Sequence, residues 1–195
     1  MLESLITSKT RIKLLLKFFM NPGTKSYLRE ITAEHGESSN AIRVELNRLT
    51  LAKLLKSEPA GRTIQYQANT HHPLFKDIEN IIKKYVGLDQ LLDIFIKELG
   101  DVQRAFITGD YARGIDSGLI DLVLVGDIEN GVLPRLTSKT EAIIKRKIRT
   151  LVLSESEFNS LRKRLLKDHV LLLWSKEENS ADLTVASKND RVVES

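Results

Sequence analysis

The feature that most constrains the fold is a pair of mainly apolar segments separated by a short stretch that contains several glycines. Val102–Thr108 and Leu119–Val125 have the length and composition of buried β-strands. The residues between them include Gly109, Gly114 and Gly118, which allow the chain to turn compactly. The sequence therefore predicts two buried strands joined by a loop that starts at Gly109.

The loop and the second strand together carry a motif. From Gly109 to Val125 the sequence reads GDYARGIDSGLIDLVLV. It resembles the GSxARG…SDIDLLV signature of the minimal nucleotidyltransferases, small relatives of the catalytic domain of DNA polymerase beta. The resemblance implies a glycine turn that holds a triphosphate on backbone N–H groups, and two aspartates one residue apart that bind Mg²⁺. Residues i and i+2 of a strand point to the same face, so two such carboxylates can share a metal.

This chain departs from the motif at the residues that would bind the metal. The i and i+2 positions are Leu119 and Asp121, and leucine offers no oxygen to a hard cation. Asp110 stands where the family has serine and would place a negative charge beside the phosphates. The family carries a third carboxylate on a later strand, but the predicted strand Ile148–Leu153 has none. We therefore predict no catalytic residues, no metal ligands and no cofactor.

The rest of the motif is compatible with a small ligand, because glycine turns and arginine can hold an anion. Asp121 lies in an apolar strand and needs a polar partner or an open pocket to stay ionised. One interpretation is a vestigial nucleotide pocket formed by Gly109, Asp110, Arg113, Gly114 and Asp121. The other is that Asp121 only accepts hydrogen bonds from Arg113 or from the turn amides. Asp116 and Asp127 are interpreted as loop residues.

Apolar spacing predicts two helices in the N-terminal part. Thr10–Met20 carries apolar residues at helical spacing, and the stop signal Asn21–Gly23 follows it. Tyr27–His35 is predicted as a second, short helix. Ser26 is placed to cap its start, and Gly36 is placed to end it in a left-handed conformation.

A third helix follows almost at once and begins at Ser38 or Ser39, either of which can act as the N-cap. It places Ile42, Leu46 and Leu49 on one face. The short link between the second and third helices is typical of a helix-turn-helix.

Two strands are predicted next, Leu54–Glu58 and Arg62–Ala68, around the turn residues Pro59–Gly61. Three helices and a hairpin make a winged helix. The run Ser38–Asn69, followed by HHPLF, resembles the ArsR-like winged-helix regulators that are joined to a nucleotidyltransferase-like domain. The resemblance covers both halves and implies an α+β fold, with an N-terminal winged helix-turn-helix and a C-terminal nucleotidyltransferase-like α/β domain that contains a mixed sheet.

Basic residues are concentrated in the N-terminal part. The whole chain has a formal net charge of +4, and the stretch Lys9–Arg62 alone carries eleven Lys and Arg against five Glu. On an arbitrary helix such residues would only form a soluble face, but a basic, asparagine-containing helix between a tight turn and a hairpin is typical of major-groove recognition. We predict that double-stranded DNA is contacted by Ser38, Ser39, Asn40, Arg43, Asn47, Arg48, Lys56 and Arg62, of which Lys56 and Arg62 contact phosphates.

Apolar stripes predict two helices between the halves. The first stripe consists of Leu74, Phe75, Ile78, Ile81, Ile82 and Tyr85, and the second of Leu88, Leu91, Leu92, Phe95, Ile96 and Leu99. Packing within the protein explains both stripes, and the first also suits a homodimer interface. Beyond the two strands we predict a helix at 136–147, a strand at 148–153, a helix at 154–166 and an apolar run at 170–174. The predicted domains are a winged helix at 1–70, a connecting helix at 71–86, a nucleotidyltransferase-like domain at 87–174 and a polar tail at 175–195.

Composition excludes several classes of protein. The chain has no cysteine, so disulfides and zinc–thiolate fingers are excluded. It has no signal-peptide pattern and no apolar run of about 18 residues, so we expect a cytoplasmic protein without a membrane segment. The adjacent His71 and His72 cannot easily face one ion, and His35 and His169 are isolated, so we expect structural or solvated histidines.

These patterns lead to one leading hypothesis and two alternatives. The leading hypothesis is a homodimeric, DNA-binding transcriptional regulator whose inactive nucleotidyltransferase-like domain acts as a scaffold or as a sensor of a nucleotide or other small molecule. The first alternative is an active nucleotidyltransferase in which Asp110 and Asp121 hold a metal in an altered geometry. The second is an antitoxin-like module that binds a protein partner through the apolar stripes.

Overall fold

The computed structural model describes residues 2–129, 131–167 and 169–176. The N-terminal elements are α1 (Leu2–Leu5), α2 (Lys9–Met20), β1 (Lys25–Tyr27), α3 (Leu28–His35), α4 (Ser39–Leu51), β2 (Leu55–Ala60) and β3 (Thr63–Ala68). They are followed by α5 (Phe75–Val86), α6 (Leu88–Glu98), β4 (Gly100–Thr108), α7 (Gly109–Ala112), β5 (Leu119–Ile128), α8 (Leu133–Ile144), β6 (Lys147–Leu153), α9 (Glu155–Leu165) and β7 (Leu171–Ser175). Ser175 thus ends a strand, and the predicted tail from residue 177 onwards lies outside the described residues.

The elements from α1 to β3, called the N-terminal unit below, include the three predicted helices and the predicted hairpin. Gly36 ends α3 with a φ of +62°, as its position predicts. The three strands form an antiparallel sheet in the order β1-β3-β2. The helices pack on a core formed by Ile12, Phe18, Ile31, Ile42 and Leu46, each of which is buried.

Strand β1 is not predicted by the sequence, and it corrects the expected start of the second helix. Ser26 does not cap α3, because it is buried, pairs with Tyr66 of β3 and donates its hydroxyl to Glu30. The carboxylate of Glu30 accepts the backbone N–H of Tyr27 at 3.0 Å. Pairing with a distant strand therefore outweighs the local tendency of serine to cap a helix.

The turn of the β2–β3 hairpin lies at Gly61–Arg62 rather than at the predicted Pro59–Gly61. Strand β2 continues through Pro59 to Ala60, and Gly61 has a φ of +62°. In the described part of the chain β2 is an edge strand that pairs with β3 alone. An edge strand tolerates proline, because one side of its backbone needs no ladder partner.

The elements from α6 to β7, called the C-terminal unit below, are built on a mixed four-stranded sheet in the order β6-β5-β4-β7. Strands β4 and β5 are antiparallel, β5 and β6 are parallel, and β7 pairs antiparallel with β4. The protein therefore has the predicted α+β class with a mixed sheet. Helix α8 begins at Leu133 rather than at 136, because Pro134 is tolerated in a first turn, and it ends at Ile144 before the left-handed Lys145.

The two faces of this sheet are covered unequally. Buried residues of one face, including Ile107, Leu122 and Leu124, belong to the main core with α6 and α8. On the other face α9 packs over a smaller cluster formed by Phe106, Val123, Val125, Leu153 and Phe158. Leu151, which follows Arg149 on the same face of edge strand β6, is exposed. Part of the α9 face beside Asp121 and Arg149 is therefore open to solvent.

Helix α5 connects the two units, and most residues of its apolar stripe pack inside the protein. Phe75 stacks on Phe19 of α2 with ring centroids 5.4 Å apart, and Ile82 is buried. Ile78 and Tyr85 are partly buried against the same core. Leu74 and Ile81 are exposed and are the remaining apolar surface of the stripe. The stripe is therefore explained mainly by intramolecular packing.

Candidate functional site

Helix α4 presents a polar face to solvent. Its N-cap is Ser38, whose hydroxyl accepts the backbone N–H of Ala41 at 3.1 Å, and Ser39 is the first helical residue. The predicted apolar face of Ile42, Leu46 and Leu49 is buried. On the outer side the side chains of Asn40, Arg43 and Asn47 are exposed, together with that of Val44. These side chains are accessible to a partner that approaches α4.

Glu45 of α4 is a buried carboxylate that holds two arginines, and the sequence predictions do not include it. Its side chain is only 6% exposed, and it accepts hydrogen bonds from Arg11 Nε at 2.8 Å and Arg48 Nη1 at 3.0 Å. Burial acts to raise the pKa of Glu45, but the hydrogen bond and charge of Arg11, with the charge of Arg48, lower it. Arg11 thereby joins α2 to α4, and Arg48 is tied to its own helix. A carboxylate three residues after the buried Ile42 is the signal that could have revealed this role.

Three cations of α4 and the β2–β3 hairpin have no such anchor. Arg43 on α4, Lys56 on β2 and Arg62 at the hairpin tip are exposed, and none of them forms an ion pair with another residue that the structure describes. By contrast, Lys13 pairs with Glu37 and Lys17 with Glu34. Lys9, Lys25, Arg29 and Lys53 of the same unit are also exposed and form no ion pair with another described residue. Positive charge available to a partner therefore lies on α4 and the hairpin and on the elements beside them.

The glycine turn of the C-terminal unit lies beside Asp121, as the motif implies. Strand β4 ends at Thr108, which is the register partner of Asp121 on β5. Gly109 follows with a φ of +66°, and a Cβ added there would meet Asp121 Oδ2 at 2.5 Å. Only glycine therefore fits beside this carboxylate without moving it.

Asp121 is paired with Arg149, and this corrects both partners that the sequence suggests. Arg149 Nε donates to Asp121 Oδ1 at 2.6 Å, because the parallel register of β5 and β6 places the two residues side by side. This hydrogen bond and the charge of Asp121 raise the pKa of Arg149. Arg113, the predicted partner, instead donates to Asp110. Each carboxylate of the motif is thus neutralised by its own arginine.

Gly114 occupies a different place from the one that an anion-binding role requires. It is buried with a φ of +75°, and a Cβ there would lie 2.2 Å from the Cα of Lys17 and 2.7 Å from the carbonyl oxygen of Leu16. The structure therefore places Gly114 against the backbone of α2. Of the five predicted pocket residues, Gly109, Asp110, Arg113 and Asp121 lie around the turn, and Gly114 lies in the contact with the N-terminal unit.

Asp116 lies in the loop as predicted, and it is also the centre of a hydrogen-bond network that the sequence does not predict. Tyr111 donates its hydroxyl to Asp116, and Arg146 donates to the Tyr111 hydroxyl at 2.8 Å and to Asp116 Oδ2 at 2.6 Å. Arg146 also lies over the ring of Tyr85, 5.3 Å from its centroid. The network joins the loop to α5 and to the start of β6.

Burial and polar contacts act in opposite directions on the pKa of Asp116, whereas burial and the neighbouring carboxylate act in the same direction on that of Tyr111. Burial acts to raise the pKa of Asp116, but the hydrogen bonds from Arg146 and Tyr111 outweigh it, and the pKa is lowered. Burial and the neighbouring Asp116 raise the pKa of the Tyr111 hydroxyl. At neutral pH the network therefore contains an ionised Asp116, a protonated Tyr111 and a charged Arg146.

A cleft lies at the end of the sheet opposite the glycine turn. It has a volume of about 540 Å³ and is lined by Asp101, Gln103, Arg104, Gly126, Asp127, Ser154 and Glu155. Asp127 belongs to β5 and faces Asp101 across the sheet register, so it is not the loop residue that the sequence suggests. Arg104 pairs with Glu155 and Lys176 pairs with Asp101, each at 2.7 Å. The cleft is therefore separate from the glycine turn.

The histidines show local roles in the described part of the chain. His72 Nδ1 accepts the backbone N–H of Leu74 at 3.2 Å, and the backbone N–H of His71 donates to Asn69. Burial lowers the pKa of His35. Among the described residues no three His, Cys, Asp or Glu side chains lie close enough to hold one metal ion, and no helix is long and apolar enough to cross a membrane.

Comparisons with known proteins find distant likenesses only. No protein-family model and no curated protein matches this chain. A candidate nucleotidyltransferase from Sulfolobus solfataricus has a similar structure over 49% of this chain and 84% of that chain, with 21% identity and a TM-score of 0.32. TrmBL2, an archaeal chromatin protein described with a novel mode of DNA binding, is similar over 74% of this chain, with 15% identity and a TM-score of 0.24. The match spans 65% of TrmBL2, just under two thirds of its length.

Proposed function

We propose that this protein is a DNA-binding transcriptional regulator. In this proposal the N-terminal unit is a winged helix, in which α4 enters the major groove and the β2–β3 hairpin is the wing. The C-terminal unit is a nucleotidyltransferase-like domain that transfers no nucleotide and acts as a scaffold or as a sensor of a small ligand. The observation that carries the proposal is the exposed face of α4, where Arg43 forms no ion pair with any residue that the structure describes and Asn40 and Asn47 are accessible.

The chemistry of these side chains suits duplex DNA. Asparagine can bond adenine through two hydrogen bonds in the major groove, and arginine can bond guanine or phosphate. Lys56 and Arg62, at the base and tip of the hairpin, suit phosphate contacts. Arg48 is tied to Glu45 on the same helix, so we assign it a smaller part in DNA contact than Arg43.

The proposal is tested by measuring the affinity of the full chain for a mixed-sequence DNA duplex at several salt concentrations. Neutralised phosphates release counterions, so we expect log K to fall linearly with log salt, with a slope of roughly −0.9 for each phosphate contact. Absence of duplex binding at low salt would contradict the assignment. Selection of a duplex from a random pool would then identify the preferred sequence.

The residues around the glycine turn do not fit the Mg²⁺ site of the resembled family. Leu119 supplies no oxygen. Arg149 lies on β6, the strand where the family has a third carboxylate, and its guanidinium forms an ion pair with Asp121. A guanidinium at this place repels a second cation. The alternative in which Asp110 and Asp121 share a metal is disfavoured, because Arg113 and Arg149 pair with these two carboxylates separately. These observations support a domain without transferase activity.

Restoration of the missing carboxylate at position 119 should create a metal site. We expect no Mn²⁺ binding at the turn of the wild-type protein and measurable Mn²⁺ binding by the triple variant Asp110→Ser, Leu119→Asp, Arg149→Ala, because the variant supplies a second oxygen ligand and removes the competing guanidinium. Calorimetry and labelled nucleoside triphosphates check both proteins. The single variant Arg149→Ala is the control, since it frees Asp121 without adding a ligand. Nucleotide transfer by the wild type that is lost in Asp121→Ala would contradict the proposal.

We propose that the regulator is a homodimer whose two copies of α4 lie about 34 Å apart, one helical turn of DNA. Leu74, at the N-cap of α5, and Ile81 within the helix supply exposed apolar surface for such a contact. Light scattering of the wild type should give twice the chain mass, and Leu74→Asp with Ile81→Asp should give a monomer. The matched control Asp77→Asn with Lys84→Gln, on the same helix, should stay dimeric. A monomeric wild type at micromolar concentration would refute the dimer.

A further inference from the structure

The segment Gly109–Ile115, called the turn below, is pressed against the backbone of helix α2. A Cβ on Gly114 would lie 2.2 Å from the Cα of Lys17, so no side chain fits between the turn and α2. Asn21, at the end of α2, donates its side-chain amide to the carbonyl oxygen of Ala112 at 3.4 Å. Backbone therefore meets backbone at this contact, and a movement of the turn must move α2 as well.

The turn is also held on its other side. Tyr111 of the turn bonds Asp116 and Arg146, and Arg146 Nη1 donates to the carbonyl oxygen of Tyr85 on α5 at 3.4 Å. Helix α5 is in turn fixed to α2 through the stacked rings of Phe75 and Phe19. The turn is thus enclosed between α2 and α5 and has little freedom to move alone.

Helix α2 contacts both helices of the proposed helix-turn-helix through charged side chains. Arg11 bonds the buried Glu45 of α4, with Nε at 2.8 Å and Nη2 at 3.3 Å. Lys17, whose backbone touches Gly114, is itself buried and pairs with Glu34 of α3. The same helix therefore carries the contact with the turn and the contacts that orient α4.

We propose that the turn is a positioning element for DNA binding: it sets the placement of α4 through α2. The inference rests on the proposed DNA-binding function and adds a regulatory role to the candidate ligand pocket, because Gly109, Asp110 and Arg113 of that pocket belong to the turn. A ligand that shifts these residues changes DNA affinity without touching DNA. By thermodynamic reciprocity, DNA bound at α4 also alters the turn.

Two glycines provide a matched pair of variants. Gly114 and Gly118 have φ values of +75° and +80°, so alanine strains the backbone similarly at both positions. A Cβ added at Gly114 would collide with the backbone of α2. A Cβ added at Gly118 would have none of the described non-neighbouring atoms within 4 Å. In the full-length protein we expect Gly114→Ala to weaken binding to the mixed-sequence duplex about tenfold, within the usual range of coupling between sites. Gly118→Ala should change the affinity less than about twofold.

A folded Gly114→Ala variant with wild-type affinity would overturn the inference. Circular dichroism and the melting temperature establish whether each variant is folded. A merely structural glycine would lower the melting temperature and leave the affinity of the folded protein unchanged. Failure of the wild type to bind duplex would instead refute the proposed function, so the two failures are distinguishable.

Hydrogen exchange tests the effect of bound DNA on the turn without any substitution. It therefore tests the inference even if Gly114→Ala does not fold. The amides of Gly114 and Ile115 donate to the carbonyl oxygens of Tyr111 and Asp110 at 3.0 and 2.9 Å. Saturation of the wild-type protein with duplex should slow exchange at these two amides. The amide of Leu166, at the far end of α9, should be unaffected. Unchanged exchange of the turn amides with DNA bound would also overturn the inference.

Discussion

The triple variant Arg43→Ala, Lys56→Ala, Arg62→Ala should bind duplex DNA at least about a hundredfold more weakly than the wild type at low salt, because three phosphate or base contacts are lost together. These are the cations of α4 and the hairpin that have no ion-pair partner among the described residues. The slope of log K against log salt should become less steep by about one for each phosphate contact removed. Titrations at several salt concentrations measure both quantities.

A second triple variant separates this local effect from net charge. Arg135, Lys139 and Lys147 are exposed cations of the C-terminal unit, paired with Glu98, Glu98 and Glu141. Their replacement by alanine removes the same formal charge. We expect this control to retain most of the affinity and nearly the full salt slope. Equal losses in the two variants would mean that overall charge, rather than α4 and the hairpin, governs binding.

Arg146→Ala should lower the free energy of unfolding by about 2–3 kcal/mol, below the full cost of breaking a buried ion pair because the site is partly solvated. The Arg146 side chain is 13% exposed and that of Asp116 is 25% exposed. The substitution leaves Asp116 ionised without its cation and removes a donor from the Tyr111 hydroxyl. Chemical denaturation measures the change. Lys97→Ala, which breaks an exposed pair with Asp93, is the control and should change stability little.

The same network predicts how stability depends on acid pH. The folded pKa of Asp116 is lowered from its ordinary value of 3.8, so the folded state favours the ionised carboxylate. Its contribution is complete above pH 3.8 and is lost as pH falls through the lowered folded value. Asp116→Asn should therefore destabilise the protein at neutral pH. On acidification below pH 3.8 the variant should lose less stability than the wild type. An identical acid profile for wild type and variant would show that Asp116 is not coupled to Arg146.

Local signals in the sequence were sufficient for the elements that depend on neighbouring residues. Helix α4 has a capping serine and apolar residues at helical spacing, and it begins directly after Ser38. The strands β4 and β5 have the apolar composition of buried strands, and the motif between them places Gly109 beside Asp121. The sequence predictions are wrong where a residue distant in the chain determines the local structure. Ser26 joins strand β1 because Tyr66 pairs with it, and the hairpin turn moves to Gly61–Arg62 because the β2–β3 register requires it.

The sequence by itself determined the α+β class, and it predicted the candidate DNA-binding helix and the lack of a carboxylate at Leu119, where the resembled family has one. Only the tertiary structure decided which charged side chains are paired within the protein and which remain available to a partner. The parallel register of β5 and β6 brings Arg149 to Asp121, and the packing of α2 on α4 joins Arg11 to Glu45. The tertiary structure also places Gly114 against the backbone of α2. These contacts join residues far apart in the chain, so their geometry depends on how whole elements pack and not on local sequence patterns.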